Sequence, residues 1–234
     1  MKAIFIHGAG HTGELWSDVL PHVPGALAPS LPGHPEGRAC ESVDAYAEWL
    51  VQTHLLDGER VTLVGNSLGG AIAMTAALQA PERVAALVLI ASGAKLRVHP
   101  DFFAQMEGDF SAAARAIARL QLAPDAPESR IARLVAAMER AGRAATLTDF
   151  RACDTFDLRD RLSEIQAPTL VISGTEDGMT PPKYSVFLQQ HIPGARLDVL
   201  EGAGHVPQVE QPEQLARLIS AFLAGLGKGA STGR

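Results

Sequence analysis

Apolar positions along the chain fall into short runs separated by longer stretches with helical spacing. Ala3 to Ile6, Val61 to Val64, Val84 to Ala91, Thr169 to Ile172 and Arg196 to Leu200 read as strands, with a weaker one at Ala26 to Ala28. The run from Val84 to Ala91 is continuous and β-rich, as expected of a strand covered on both faces. Val43 to His54, Leu68 to Gln79, Tyr184 to His191 and Glu213 to Leu226 read as helices. Strands alternating with helices predict an α/β fold with a mostly parallel sheet flanked by helices.

The alternation breaks between Ala94 and Phe156. No strand is evident there, and Ser111 to Leu122 and Pro127 to Ala141 read as helices. One crossover needs only about a dozen residues, so a helical insertion is expected. The predicted division is a core in two parts, 1–93 and 157–226, a helical insertion at 94–156, and a frayed, flexible tail at 227–234. A chain of 234 residues suits one large domain with such an insertion.

Composition narrows the function classes. A hydrophobic content of 47% excludes a disordered chain, and a net charge of −6 lacks the basic footprint of a nucleic-acid binder. Two cysteines, Cys40 and Cys153, form neither a disulfide framework nor a zinc site, so a cytoplasmic location is expected. The apolar stretch before His7 is too short for a signal peptide, and no run approaches the ~18 residues of a membrane span. His34, His99 and His191 are too scattered to argue for a metal. The expectation is no cofactor, no metal, no nucleic-acid or membrane partner, a small-molecule substrate, and a monomer or homodimer.

The strongest chemical signal is Gly65-Asn66-Ser67-Leu68-Gly69-Gly70, after one strand and before a helix. A serine on so sharp a turn takes a strained backbone, and small residues two before and two after it avoid clashes. The turn lifts the Ser67 hydroxyl off the sheet and sets the Leu68 N–H at a helix N-terminus, where negative charge is stabilised. Serine needs a base, and the base an orienting acid. His205, in Gly202-Ala203-Gly204-His205, follows the last strand, and Asp177, in Gly174-Thr175-Glu176-Asp177, follows the strand before it. A parallel sheet gathers such loops at one edge. Glu176 is the neighbour that could be mistaken for the acid, and Ser92-Gly93-Ala94 offers none. After the first strand, His7-Gly8-Ala9-Gly10 supplies a second N–H donor at Ala9. His7 reads as a structural hydrogen-bonder, and His11 is a candidate for the pocket mouth.

These marks, with Leu31-Pro32-Gly33-His34 and Glu210-Gln211-Pro212, resemble the α/β-hydrolase superfamily over nearly the full chain. The order Ser, Asp, His is that of this superfamily. The resemblance implies Ser67 as nucleophile, Asp177 as acid, His205 as base, Ala9 and Leu68 as oxyanion donors, and the helical insertion as a cap. The family commonly opens with two antiparallel strands. Here the first strand starts near residue one, so a sheet of about six strands is expected. Ser30 and Pro35 stand where the family often has Asp and Gly, which is expected to alter loop packing only.

Residue type excludes several relatives. Dehalogenases and epoxide hydrolases of the fold use Asp where this chain has Ser67. Hydroxynitrile lyases carry Thr at the position of Gly8 and Lys at that of Val206. Prolyl aminopeptidases have larger caps with clustered acids; Glu107, Asp109 and Glu128 form no such cluster. The expected reaction is hydrolysis of small to medium carboxylic esters by a serine hydrolase of carboxylesterase type, with activity rising through about pH 6–7 as the base deprotonates. Phe102, Phe103, Met106, Phe110, Met138 and Val206 are the expected pocket residues, with Leu120, Leu122 and Leu134 also in the cap. Two alternatives stay open: C–C bond, thioester or lyase chemistry on the same triad, for which Arg97, Arg115 and Arg119 are candidate cations, and a non-catalytic ligand receptor.

Overall fold

Residues 2–55 and 58–229 are described in the computed structural model, with 227–229 described for backbone only. Six strands form: β1 Ala3–Ile6, β2 Ala26–Leu27, β3 Val61–Asn66, β4 Val84–Ile90, β5 Thr169–Gly174 and β6 Arg196–Leu200. They make one sheet in the order β2-β1-β3-β4-β5-β6. Every neighbouring pair is parallel. β3 and β5 are buried along their whole length. The edges are the two-residue β2 and the partly exposed β6.

Successive strand residues point to opposite faces, and the two faces carry separate cores. Ile4, Ile6, Leu63, Leu87 and Leu89 pack with α1 (Val43–His54) and α2 (Leu68–Gln79). α2 is apolar nearly all round and lies buried against the centre of the sheet. Ala3, Phe5, Val64, Val88 and Ile172 pack on the other face with Trp16 and the late helix residues Leu215, Ile219 and Phe222.

Between β4 and β5 lie four α-helices: α3 Pro100–Gly108, α4 Phe110–Gln121, α5 Glu128–Ala141 and α6 Arg143–Thr155. α4 and α5 match the expected stretches. In α5, Ile131, Leu134, Ala137, Met138 and Ala141 are buried, the stripe that identifies a one-sided helix. Sequence reading did not single out α3 or α6. α6 buries Thr146 and Asp149 along with its apolar residues, so its hydrophobic period is weak. These helices share the core of the α1–α2 face through Ile117, Leu134, Met138 and Phe150.

The chain closes with α7 Pro182–His191, the short α8 Pro207–Glu210, and α9 Pro212–Gly229. α9 runs three residues past the expected end at Leu226. The predicted frayed tail is therefore helical in backbone to Gly229, and 230–234 lie outside the described residues. Among the described residues, no helix is long and apolar enough to cross a membrane.

The strand order fixes where a site can form. Chain direction across the sheet reverses between β1 and β3, which opens a crevice beyond their carboxyl ends. His7 follows β1, and Ser67 follows β3, so both stand at that crevice.

Candidate active site

Ser67 joins β3 to α2 with φ 55° and ψ −117°, a left-handed backbone that a serine adopts only when its surroundings impose it. A Cβ on Gly65 would stand 2.2 Å from the Gly69 carbonyl oxygen, and one on Gly69 would stand 2.2 Å from that of Ile6. Both glycines are therefore required by close backbone approach. The Ser92 hydroxyl donates to the Ser67 carbonyl at 2.8 Å and braces the turn. Leu68 is the first residue of α2, so its N–H has no partner within the helix. Neither this N–H nor that of Ala9 donates to another group among the described residues.

His205 and Asp177 are both buried and in contact. His205 Nδ1 lies 3.0 Å from each Asp177 carboxylate oxygen. A carboxylate only accepts, so Nδ1 carries the proton and neutral His205 leaves Nε2 free to accept. Asp177 also accepts from the Met179 N–H at 2.9 Å, the Thr180 N–H at 2.8 Å and the Thr180 hydroxyl at 2.8 Å. Burial alone would raise its pKa. The charge and hydrogen bond of His205, with the donors of Thr180, outweigh that and hold it below the usual carboxylate value. Glu176 is exposed on the neighbouring turn.

Ser67 and His205 line one cavity of about 180 Å³, with Gly8, Ala9, Gln121, Leu120 and Phe150. Its walls come from the sheet edge on one side and the inserted helices on the other. Ser67 and His205 make no hydrogen bond with each other here; catalytic bonds of this type often tighten only with substrate bound.

The alpha/beta hydrolase family model matches residues 3–218. The chain belongs to the alpha/beta hydrolase family. It is 30% identical to a pimeloyl-[acyl-carrier protein] methyl ester esterase of Neisseria meningitidis serogroup C, over 96% of this chain and 94% of that one. A protein of the same name from Nitrosomonas europaea is 30% identical over 94% of each chain. A solved thermophilic esterase superposes with TM-score 0.88 at 31% identity, covering 97% of this chain and 90% of that one. A second solved enzyme, described as degrading N-acyl homoserine lactones, gives TM-score 0.80 at 27% identity, covering 95% and 93%. Within the family the chain is a hydrolase of the carboxylesterase type.

In this alpha/beta hydrolase the pocket differs from the expected one. Of the six pocket residues expected from sequence, Phe102 lines the cavity. Phe103, Met106, Phe110, Met138 and Val206 do not. Met106, Met138 and Val206 are fully buried in the core. Met138 sits beneath the Gly8–Gly10 loop, its Cγ 3.3 Å from where a Gly10 Cβ would stand. Phe103 and Phe110 pack half-buried against that core, and Phe110 lies under the Arg143 guanidinium. Leu120, also expected in the cap, joins Phe102 on the cavity, and the rest of the apolar wall is made by Leu96, Val98, Phe150, Cys153, Met179 and Tyr184.

His7 is buried and neutral. Its Nε2 accepts from the Leu31 N–H at 2.9 Å, and Nδ1 donates to the Gly8 carbonyl at 2.9 Å. Burial, reinforced by His34, lowers its pKa to about 3. His11 is buried behind Gln121, at 3.1 Å, rather than on the cavity wall, and burial lowers its pKa to about 4. Ser30 accepts from the Gly13 N–H at 3.1 Å, a loop contact of the expected kind.

Several residues support the site through contacts that the sequence does not show. The Asn66 amide donates to the His205 carbonyl at 2.9 Å and accepts from Gln208 at 3.0 Å, tying the serine turn to the histidine loop. Glu210 was noticed as a family mark, but its work is visible only here. It accepts from the Gly204 N–H at 2.9 Å and the Ala123 N–H at 2.8 Å, joining the histidine loop to the inserted helices.

Proposed function

We propose that this hydrolase cleaves small to medium carboxylic esters through an acyl-enzyme on Ser67, with His205 as base and Asp177 as its orienting acid. The observation that carries the reading is Ser67 on a strained turn facing the same cavity as the buried His205–Asp177 pair. Ser67 Oγ attacks the acyl carbon while His205 Nε2 takes its proton. The Ala9 and Leu68 N–H groups form the oxyanion hole for the resulting charge. His205 returns the proton to the leaving alkoxide, and the alcohol departs. His205 then deprotonates a water, which attacks the acyl-enzyme and frees the acid and Ser67. Helices α3–α6 act as the cap. A cavity of about 180 Å³ suits small acyl groups.

The relatives' names put methyl esters and acyl homoserine lactones among the substrates to try first. Arg115 and Arg119 pair with Glu128 on the outer surface, and Arg97, which reaches the cavity, is exposed. No arginine or lysine is thus buried in the cap among the described residues, although the buried Gln121 does line the cavity; esters are the substrates to try first, with thioesters and C–C substrates after them. We also place the protein in the cytoplasm, a reading supported by the free thiols of Cys40 and Cys153.

The test is turnover of p-nitrophenyl esters from acetate to palmitate by wild type and Ser67→Ala. Turnover that peaks at short or medium chains and disappears in the variant is expected. Negligible wild-type turnover on every ester overturns the reading and moves the test to thioesters, C–C substrates and ligand binding.

A further inference from the structure

A second His–Asp pair lies away from the cavity. Asp149, on α6, is fully buried. Its carboxylate accepts from the Gly10 N–H at 2.9 Å, the Tyr46 hydroxyl at 2.7 Å and His34 Nε2 at 2.8 Å. His34 Nδ1 faces the carbonyls of Pro32 at 3.0 Å and Leu31 at 3.2 Å. Both ring nitrogens therefore face acceptors, the pattern of an imidazolium. Burial opposes that charge, but the hydrogen bond and charge of Asp149 outweigh it and raise the His34 pKa.

Four segments meet on this one carboxylate: the loop after β1, the loop holding His34, α1 through Tyr46, and α6. A buried ion pair is costly to break, because removing one partner strands the other. It is therefore a stiff joint. Gly10, which it holds, follows Ala9 directly. Gly10 has φ +69°, and a Cβ there would stand 2.9 Å from Thr146 Cγ2, on α6 one turn before Asp149. The loop is thus held against α6 by contact and by hydrogen bond. Asp149 and His34 do not line the cavity, and two routes lead from them to it: the Gly10 N–H, next to Ala9, and the wall residues Phe150 and Cys153 on α6; kcat read against KM tells the two apart.

We propose that the Asp149–His34 pair is a positioning device that aims the Ala9 N–H at the developing oxyanion by clamping the Gly8–Gly10 loop to α6. The inference rests on the esterase reading above. It makes the cap helix α6 part of the transition-state apparatus. The signature of a misaimed donor is a loss felt in the transition state and not in substrate binding.

The test compares Asp149→Asn and His34→Gln with wild type on a short p-nitrophenyl ester, together with inhibition by a trifluoromethyl ketone, whose serine adduct carries an oxyanion. Removing a whole oxyanion donor costs about 10²–10³ in rate, and misaiming one is expected to cost roughly 10–100-fold. The expected result is that fall in kcat, KM within threefold of wild type, and a Ki for the ketone that rises by the same factor. A lower melting temperature with kcat, KM and Ki unchanged overturns the inference, since that is what a purely structural pair would do. A rise in KM at constant kcat overturns it as well. Should Asp149→Asn fail to fold, His34→Gln carries the same test, because its neutral amide removes the charge that stiffens the pair without leaving the Asp149 carboxylate bare. Absence of ester turnover in wild type overturns the esterase reading and this inference together; turnover in wild type with unchanged variants overturns this inference alone.

Discussion

On the proposed triad, replacing Asp177 by Asn is expected to cost far more in catalysis than in folding. Oδ1 of Asp177 accepts from two backbone N–H groups, Met179 at 2.9 Å and Thr180 at 2.8 Å. The amide oxygen of Asn takes over both bonds. The new NH₂ then occupies the place of Oδ2, facing His205 Nδ1 and the Thr180 hydroxyl. The hydroxyl turns and accepts. His205 Nδ1 stands 3.0 Å from both positions, but the amide oxygen already accepts two backbone N–H bonds, so the NH₂ meets the ring as a donor, Nδ1 turns bare to accept from it, and the ring proton moves to Nε2. Nε2 is then a donor and takes no proton from Ser67. In a serine protease triad the same exchange costs about 10⁴ in kcat with geometry preserved. At about 1.36 kcal/mol per decade, that is roughly 5.4 kcal/mol of activation free energy. The lost charged hydrogen bond to His205 is worth about 1.5–3 kcal/mol of stability. The assay is kcat on p-nitrophenyl acetate beside urea unfolding, and Glu176→Gln, on the exposed neighbour, is expected within twofold of wild type. A folded Asp177→Asn losing less than tenfold in kcat refutes the reasoning.

Four further outcomes are expected. Gly69→Ala drives a Cβ to 2.2 Å from the Ile6 carbonyl oxygen, which should cost about 3 kcal/mol by denaturant unfolding; a loss under about 0.5 kcal/mol would contradict the packing argument. Phe102→Ala widens the cavity and should move the acyl-chain optimum to longer esters. Met106→Ala, off the cavity and fully buried, should cost about 2–5 kcal/mol with the chain-length profile unmoved; the opposite pattern would mean the wall has been misassigned. Asp177 has a lowered pKa in the fold, so it binds its proton less readily there than in the unfolded chain. Its stabilisation is present above the unfolded value near 4 and disappears as pH falls through the lower folded value. The melting-temperature gap between wild type and Asp177→Asn should therefore be widest near neutrality and close at low pH, and a gap that is constant with pH would show that the charge is not what stabilises.

What could be read from the sequence was decided locally. The strand and helix periods follow from burial on a sheet face or a helix stripe, and they placed all six strands and the main helices. The serine turn was legible because its two glycines answer a steric demand spanning only a few residues. Asp177 and His205 were legible because a parallel sheet brings every loop after a strand to the same edge. The pocket wall was not, because an apolar residue on a helix faces a neighbouring helix or the cavity according to how the helices rotate when packed. Position along the helix matters as well: Phe102 and Met106 lie one turn apart on the same face of α3, yet Phe102 stands over the cavity and Met106 over the core. α6 hid because it buries polar groups, which erases the hydrophobic period. Asp149 had no signal at all: its partners Gly10, His34 and Tyr46 are more than 100 residues away in sequence. A buried carboxylate is recognisable only once its donors surround it, and tertiary packing alone brings them together.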